Sequence, residues 1–294
     1  MNFNEELERR VQEIEKILKD YMPEEQGPQK LIMEAMNYSI MAGGKRLRPM
    51  LMQETYRLFG GKGDAVEPFM AAQEMIHTYS LVHDDLPAMD NDEYRRGKKT
   101  TWTVFGEDMA ILAGDGLLNY AFETALKAFG KADADKVAEC LKVLAGKAGI
   151  YGMIGGQVVD VMSEEKKIDM ETLLFIHRKK TSALIQSSMM IGAILAGASK
   201  EQVEKIEQIG EQIGLAFQIQ DDILDVTSSL EVLGKPVHSD EKNEKTTYLT
   251  LEGLEKSKRD VEEISHCAIL GLQSFEQENP FLTELVEKLI HREK

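Results

Sequence analysis

The chain has 294 residues, with 51 acidic and 35 basic side chains and a formal charge of −16. A strongly acidic balance argues against a nucleic-acid-binding protein, which carries a basic face, although a local basic pocket can still bind a small anion. The two cysteines, Cys140 and Cys267, lie far apart in no metal-type spacing, so we expect no disulfide framework and a reducing compartment. The charged N-terminus lacks a signal-peptide core, and the longest apolar stretch, residues 189–198, is too short to span a bilayer. We therefore expect a cytoplasmic protein without a membrane span.

Helical periodicity begins near the N-terminus and recurs along the chain. Apolar residues return every three or four positions in two segments, at Leu7, Val11, Ile14, Leu18 and Tyr21, and again at Val203, Ile206, Ile209, Ile213 and Phe217. Between Pro87 and Pro236 there is no proline, so this interval is open to uninterrupted helices. Breaks are predicted at residues 22–28, 58–68, 129–136 and 228–248. No strand alternation is evident, and we predict one all-α domain over residues 1–294, with roughly ten or more helices of usual length.

The first acidic cluster places five acidic residues between Asp84 and Glu93. The segment before it has a helical pattern, with Asp84 and Asp85 in the last turn. Pro87 follows within one turn and removes an amide donor, so the helix is predicted to bulge or end there. Asp90 can then return to the side of Asp84. The alternative is a flexible, solvated loop.

The second acidic cluster lies at the end of the helix that begins near Glu201. Gln218, Asp221, Asp222 and Asp225 are spaced i, i+3, i+4 and i+7, which places them on one helical face. Carboxylates so close together repel unless cations lie between them, and carboxylate oxygens suit Mg²⁺. A solvated helix end is the alternative, but the neighbouring residues are largely apolar. The two clusters together predict two helix ends that face each other across a cavity and hold divalent ions.

Basic side chains accompany both acidic clusters in four short motifs. They are Lys45, Arg46 and Arg48 beside two glycines, Arg95 and Arg96 after the first cluster, Lys179 and Lys180 in "HRKKT", and Lys235 in "GKP". Arginine binds phosphate oxygens in pairs and lysine acts as a point charge, so the pattern predicts a ligand with several phosphate oxygens. For Lys179 or Arg46 taken alone, we favour a surface salt bridge.

The motifs "GGKRLRP", "HDDLPAMDNDEYRRG", "HRKKT", "FQIQDDILD" and "GKP" occur in the order seen in trans-isoprenyl diphosphate synthases. The sequence resembles this family from about Leu31 to the C-terminus, and within it the bacterial farnesyl diphosphate synthases. The resemblance implies an all-α isoprenoid synthase fold with helices around a large central cavity, and a homodimer. It also implies head-to-tail transfer with two or three Mg²⁺ ions, in which an allylic diphosphate ionises and the double bond of isopentenyl diphosphate attacks the carbocation.

The resemblance also implies roles for individual residues. The Mg²⁺ ligands are Asp84, Asp90 and Asp221, with Asp85, Asp222 and Asp225 nearby. The residues that bind the allylic diphosphate are Arg95, Lys180 and Lys235. The residues that bind isopentenyl diphosphate are Lys45, Arg48, His77 and Arg96. Thr181 and Gln218 present neutral oxygens near the carbocation, the departed diphosphate takes the proton, and His83, His177, His238 and His266 are expected to be structural.

Product length is implied by the residues one helical turn before Asp84. A turn rises about 5.4 Å, comparable to one isoprene unit. Ser80 is small, whereas Tyr79 is bulky and is expected to close the floor of the product tunnel at C15, although it can instead merely pack in the core. A geranyl or geranylgeranyl diphosphate synthase, a terpene cyclase and a non-catalytic partner subunit are the alternatives. The basic residues Lys45, Arg48 and Arg96 argue against a cyclase, which needs no second diphosphate site.

Overall fold

The computed structural model describes residues 2–227 and 246–290, and these fold into fourteen α-helices, confirming the all-α prediction. The first seven are α1 (Phe3–Tyr21), α2 (Lys30–Ile40), α3 (Leu47–Leu58), α4 (Glu67–Asp84), α5 (Thr101–Phe105), α6 (Glu107–Leu126) and α7 (Ala134–Ala148). The remaining seven are α8 (Met153–Met162), α9 (Met170–Ile176), α10 (Ala183–Ala196), α11 (Lys200–Thr227), α12 (Tyr248–Glu252), α13 (Leu254–Gln273) and α14 (Pro280–Ile290). A π-helical stretch, His177–Ser182, joins α9 to α10. In the described part of the chain, no helix has the length and apolarity needed to cross a bilayer.

The chain divides into two compact units. The first comprises Met1–Gln53 and Lys62–Leu141, and the second comprises Glu54–Gly61 and Lys142–Lys294. The single domain expected over residues 1–294 stays a prediction, as does the expectation that the two acidic clusters face each other.

In the first unit, α4 packs against α6. Phe69, Met70 and Met75 of α4 are wholly buried, because apolar residues surround this helix on most sides. Small residues on α6 allow close approach: a Cβ at Gly114 would collide with the ring of His83, whose Nε2 lies 3.1 Å from the carbonyl of Ile111. The end of α4 is therefore held firmly where the first acidic cluster begins.

A small β-hairpin follows that cluster, and it was not predicted. Strands β1 (Tyr94–Arg95) and β2 (Lys98–Lys99) pair antiparallel. Arg96 and Gly97 form the turn with positive φ angles of 53° and 74°, as in a type I′ hairpin. Strands of two residues are too short to show alternation, which explains why the sequence pattern did not reveal them.

In the second unit, α11 packs against α10 and α13 and carries the predicted apolar face. Ile206, Ile209 and Ile213 are buried, as the periodicity required. The predicted breaks at 22–28, 58–68 and 129–136 are confirmed by the helix boundaries. The fourth break, 228–248, lies mostly outside the described residues, and α12 begins at Tyr248.

Candidate active site

The first aspartate cluster closes back on the end of α4. The helix ends at Asp84, and the backbone N–H of Asp90 donates to the Asp84 carbonyl at 2.8 Å. Asn91 adopts a positive φ of 54°, which turns the chain there. The prediction that Asp90 returns to Asp84 is thus confirmed. Residues 88–94 are exposed, so the segment after the helix is solvated, whereas Asp85 at the helix end is only 4% exposed.

Asp85 holds Arg95 through two contacts. Its Oδ1 accepts from Arg95 Nε at 2.7 Å and lies 2.6 Å from Arg95 Nη2. Burial raises the pKa of Asp85 to about 6, while Arg95 acts in the opposite direction. The guanidinium of Arg95 is therefore held by a carboxylate that is itself costly to ionise.

The charges of four arginines act on His77 of α4. Burial lowers the pKa of His77 well below its usual value, and the charges of Arg48, Arg96, Arg95 and Arg46 lower it further. We call these five residues the basic cluster. The imidazole of His77 is thus neutral at physiological pH, and the guanidinium groups give the cluster a positive charge suited to an anion. Arg48, His77 and Arg96, which the resemblance assigns to one substrate, all belong to this cluster, and their binding role stays a prediction.

Arg48 is half-buried, whereas Arg96 is exposed. Burial lowers the pKa of Arg48 to about 10, so its guanidinium remains charged near neutral pH. Its Nε is buried and has no hydrogen-bond partner among residues 2–227 and 246–290. Arg96 donates through Nη1 to the Gly43 carbonyl. A buried donor left without an acceptor is costly, which suits a position where a ligand oxygen binds.

The glycines before Lys45 are needed for this packing. Gly44 has a φ of +132°, and a Cβ there would lie 2.5 Å from Arg96 Nη1. A larger residue would therefore strain the backbone and displace the guanidinium. Lys45 follows directly and is exposed.

Arg46 corrects the expectation of a surface salt bridge. It is 2% exposed, and its Nη1 donates to Glu74 Oε1 at 2.9 Å inside the fold. Its Nη2 donates to the Ile40 carbonyl at 2.8 Å. Arg46 has a positive φ of 48°, so the backbone turns its side chain inward, which the residue type alone could not indicate.

The chain-length residues lie one turn before Asp84, as the sequence placed them. Tyr79 is 6% exposed, and burial together with the Asp84 charge raises its pKa to about 12. Its ring lies edge-on to His83 at 5.8 Å between centroids. Its hydroxyl is buried and has no hydrogen-bond partner in the described part of the chain. Ser80 donates back to the His77 carbonyl at 2.9 Å.

The second aspartate cluster ends α11 in the second unit. Asp222 and Asp225 are buried and Asp221 is half-buried, so the alternative of a solvated helix end is wrong. Asp222 Oδ2 accepts from the backbone N–H of Tyr248 at 2.9 Å and thus fixes the start of α12. Asp221 presents a partly exposed carboxylate beside it.

A pocket of about 190 Å³ lies beside this cluster, within the second unit. Its lining residues include Asp160, His177, Lys180, Thr181, Gln218 and Asp222. Thr181 Oγ1 donates to Gln218 Oε1 at 2.9 Å, and Lys180 Nζ lies 2.7 Å from Asp160 Oδ2. Three predicted residues, Lys180, Thr181 and Gln218, therefore share one pocket. Lys235 lies outside the described residues.

The π-helical stretch His177–Ser182 positions Lys180 and Thr181. π-Helical turns are rare and occur often at functional sites. Two glycines permit the close packing around it: a Cβ at Gly156 would collide with the backbone of Lys180, and one at Gly214 would collide with Ser182. The stretch is therefore held on both sides by neighbouring helices, α8 and α11.

His177 lies in the wall of this pocket and is only 5% exposed. Burial lowers its pKa to about 4, while the charge of Asp160 acts in the opposite direction. Its imidazole is therefore neutral at physiological pH, and its expected structural role stays a prediction.

Two acidic side chains in these arrangements were not predicted, Glu74 and Asp160. Glu74 lies three residues before His77, so helical spacing could have placed both on one face. Asp160 is an isolated acid in the apolar segment "GGQVVDVM", which is a weak signal by itself.

The donor set fits Mg²⁺ bound with a phosphate ligand. Within the described ranges, no three acidic, histidine or cysteine side chains form a group able to hold a metal ion by themselves. Mg²⁺ commonly takes one or two carboxylates and completes its octahedron with water and substrate phosphates. Asp84, Asp90 and Asp221 are therefore suitable as partial ligands.

The polyprenyl synthetase family matches residues 29–287 of the chain. This chain belongs to that family. A chloroplastic geranylgeranyl pyrophosphate synthase of Catharanthus roseus is 47% identical, over 84% of this chain and 70% of its own length. A farnesyl diphosphate synthase of Micrococcus luteus is 42% identical, over 95% of this chain and 94% of its own. This polyprenyl synthetase is thus a trans-prenyl diphosphate synthase, a prenyltransferase whose relatives make products of more than one length.

Solved structures agree with the family. A geranyltransferase from Helicobacter pylori, complexed with magnesium and isoprenyl diphosphate, has a TM-score of 0.85 and 30% identity, covering 99% of this chain and 97% of its own. An FPP/GFPP synthase from Zymomonas mobilis has a TM-score of 0.87 and 33% identity, covering 98% and 99% respectively. The isoprenoid synthase fold implied by the motifs is therefore confirmed.

Proposed function

We propose that this prenyltransferase is a farnesyl diphosphate synthase. It condenses isopentenyl diphosphate first with dimethylallyl and then with geranyl diphosphate, and each cycle releases diphosphate. The observation that carries the proposal is Tyr79, a bulky and buried side chain one turn before Asp84. Its position supports a floor that stops the chain at C15.

The basic cluster supports binding of isopentenyl diphosphate. Arg96 offers a guanidinium held by the Gly43 carbonyl, and Arg48 Nε is a buried donor whose acceptor is not supplied by the described residues. His77 is neutral and can donate or accept without adding charge. Lys45 adds an exposed ammonium. A diphosphate bound here would satisfy donors that are otherwise costly to bury.

Asp84, Asp90 and Asp221 are the residues we assign to two or three Mg²⁺ ions. When bound, the ions neutralise charge on the diphosphate that leaves the allylic substrate. Arg95 and Lys180, together with Lys235, are assigned to the same diphosphate. Arg95 and Lys180 are already oriented by Asp85 and Asp160 respectively.

The remaining chemistry needs a neutral, water-poor surface near the carbocation. As the C–O bond of the allylic substrate breaks, its electrons leave with the diphosphate. The double bond of isopentenyl diphosphate then forms the new C–C bond, and the released diphosphate accepts the proton that is lost. Thr181 and Gln218 are hydrogen-bonded to each other, so their oxygens face the pocket in fixed positions and stabilise positive charge without capturing it.

A geranylgeranyl diphosphate synthase is the alternative, favoured by the 47% identity to the Catharanthus roseus enzyme. The farnesyl and geranylgeranyl alternatives are distinguished by incubating the protein with Mg²⁺, isopentenyl diphosphate and dimethylallyl or geranyl diphosphate. The products are then identified by mass. A dominant C15 product supports the proposal. Products of C20 or longer would agree with prenyl transfer but contradict the role of Tyr79. A cyclic hydrocarbon without condensation would contradict the enzyme class. The homodimer implied by the resemblance stays a prediction, which light scattering tests.

A further inference from the structure

Glu74 is a buried acid that none of the assigned steps uses. It lies on α4, three residues before His77, and is 2% exposed. Helical spacing places Glu74 and His77 on one face, next to the arginines of the basic cluster. An ionised carboxylate is seldom buried so fully unless cations surround it.

The first partner of Glu74 is Arg46, at 2.9 Å between Oε1 and Nη1. Both side chains are almost wholly buried, at 3% and 1% exposure. The Ile40 carbonyl accepts a second hydrogen bond from Arg46 at 2.8 Å. The guanidinium of Arg46 is therefore fixed from two sides, and its position follows that of Glu74.

Arg48 and Arg96 also depend on the charge of Glu74. Burial lowers the pKa of both guanidinium groups, and the Glu74 carboxylate acts against that effect in each case. Arg48 also feels the like charge of Arg96, and Arg96 that of Arg46. The negative charge of Glu74 therefore counteracts the mutual repulsion of Arg46, which is buried, Arg48, which is half-buried, and Arg96, which is exposed.

The arrangement is incomplete as a purely structural ion pair. Glu74 Oε2 and Arg48 Nε are buried without a hydrogen-bond partner in the part of the chain that the structure describes. Each such atom costs about 1–3 kcal/mol. A site optimised for stability alone would satisfy these atoms, whereas a site prepared for a ligand keeps a donor available.

We propose that Glu74 is the positioning residue of the isopentenyl diphosphate site, where it fixes Arg46 and with it the segment 43–48, which carries Lys45 and Arg48 and whose Gly43 carbonyl accepts a hydrogen bond from Arg96. The inference rests on the proposed function, because it assigns Glu74 to the basic cluster as a diphosphate site. Glu74 does not contact the substrate in this proposal, but it determines how well the arginines bind the diphosphate.

Glu74→Gln separates positioning from a simple field effect. The amide preserves the shape and removes the charge. If Glu74 acted only through its field, removal of a negative charge would tighten the binding of an anion. Positioning predicts the opposite: a KM for isopentenyl diphosphate raised about tenfold, the size expected when a charged hydrogen bond is lost. By the same reasoning, we expect the KM for geranyl diphosphate to change by at most about twofold from the wild-type value, and kcat by at most about threefold.

Glu54→Gln is the matched control. Glu54 is also fully buried and lies 2.6 Å from an arginine, Arg57, but it belongs to the second unit. We expect it to lower the melting temperature and leave both KM values unchanged. Glu74→Asp keeps the charge on a shorter side chain and should give an intermediate KM for isopentenyl diphosphate.

The proposal is overturned if Glu74→Gln leaves the KM for isopentenyl diphosphate unchanged or lowers it, or if it raises both KM values in parallel. If Glu74→Gln does not fold, Glu74→Asp decides: a KM equal to that of the wild type overturns the proposal. Calorimetric titration of the wild type with isopentenyl diphosphate alone distinguishes the two failures. Absence of binding there contradicts the proposed function itself, whatever Glu74 does.

Discussion

Replacing Tyr79 by alanine should lengthen the product by about one isoprene unit. The next residues on the same face of α4, Ile76 and Met75, lie three and four positions earlier respectively and are wholly buried. At a rise of 1.5 Å per residue they lie about 5–6 Å further along the helix, close to the length of one isoprene unit. They would form the new floor, so C20 should dominate over C25. The products are identified by mass after reaction with isopentenyl and geranyl diphosphate.

Two variants test the reasoning behind this expectation. Tyr79→Phe keeps the ring and removes the hydroxyl that lacks a partner, so C15 should remain and stability should be unchanged or higher. Tyr56→Ala removes another tyrosine of 6% exposure, in the second unit, and should cost stability while leaving the product at C15. An active Tyr79→Ala enzyme that still stops at C15 would show that Tyr79 only packs in the core.

Two further expectations concern the basic cluster and the pocket. Gly44→Ala should raise the KM for isopentenyl diphosphate about tenfold or more, since the new Cβ displaces Arg96. Gly60 has a φ of +78° and no atom near the position of a Cβ, so Gly60→Ala should cost only about 1 kcal/mol of stability. Burial lowers the pKa of His177 to about 4, so between pH 6.5 and 4 the unfolded chain binds more protons than the folded one. Stability should then fall by about 1.4 kcal/mol per pH unit as the pH decreases, and by about 3 kcal/mol in all. Chemical denaturation should show that His177→Gln lacks this loss, whereas His266→Gln, an exposed control, keeps it.

The parts of the site that follow local rules could be predicted from the sequence. The end of α4 follows from Pro87, which cannot continue the helix, and the return of Asp90 follows from that end. The shared face of Gln218 and Asp222 follows from helical spacing, and their mutual hydrogen bond of 3.4 Å agrees with it. In each case the deciding interaction joins residues fewer than eight positions apart.

The parts that depend on distant contacts could not be predicted. Arg46 was assigned to the surface because nothing local distinguishes it from Arg48, and its burial depends on Glu74, 28 residues away. The π-helical stretch around Lys180 depends on close approach by Gly156, which lies on another helix. A sequence motif shows which charged residues are present, but it does not show which residues their side chains contact in the fold.

The cations proposed for the two diphosphates differ in what they must give up to bind. Arg95 and Lys180 already contact carboxylates, at 2.6 and 2.7 Å, so a phosphate must compete with Asp85 and Asp160. Arg48 instead has a buried Nε without a partner among the described residues. A diphosphate that binds Arg48 Nε therefore replaces no hydrogen bond at this nitrogen. A diphosphate that binds Arg95 must instead compete with Asp85 for the guanidinium. Burial raises the pKa of Asp85 to about 6. The negative charge of Asp85 is therefore destabilising once Arg95 no longer contacts it. The allylic diphosphate thus needs additional positive charge, and the carboxylates of Asp84 and Asp90 next to Asp85 are suited to supply it by holding Mg²⁺.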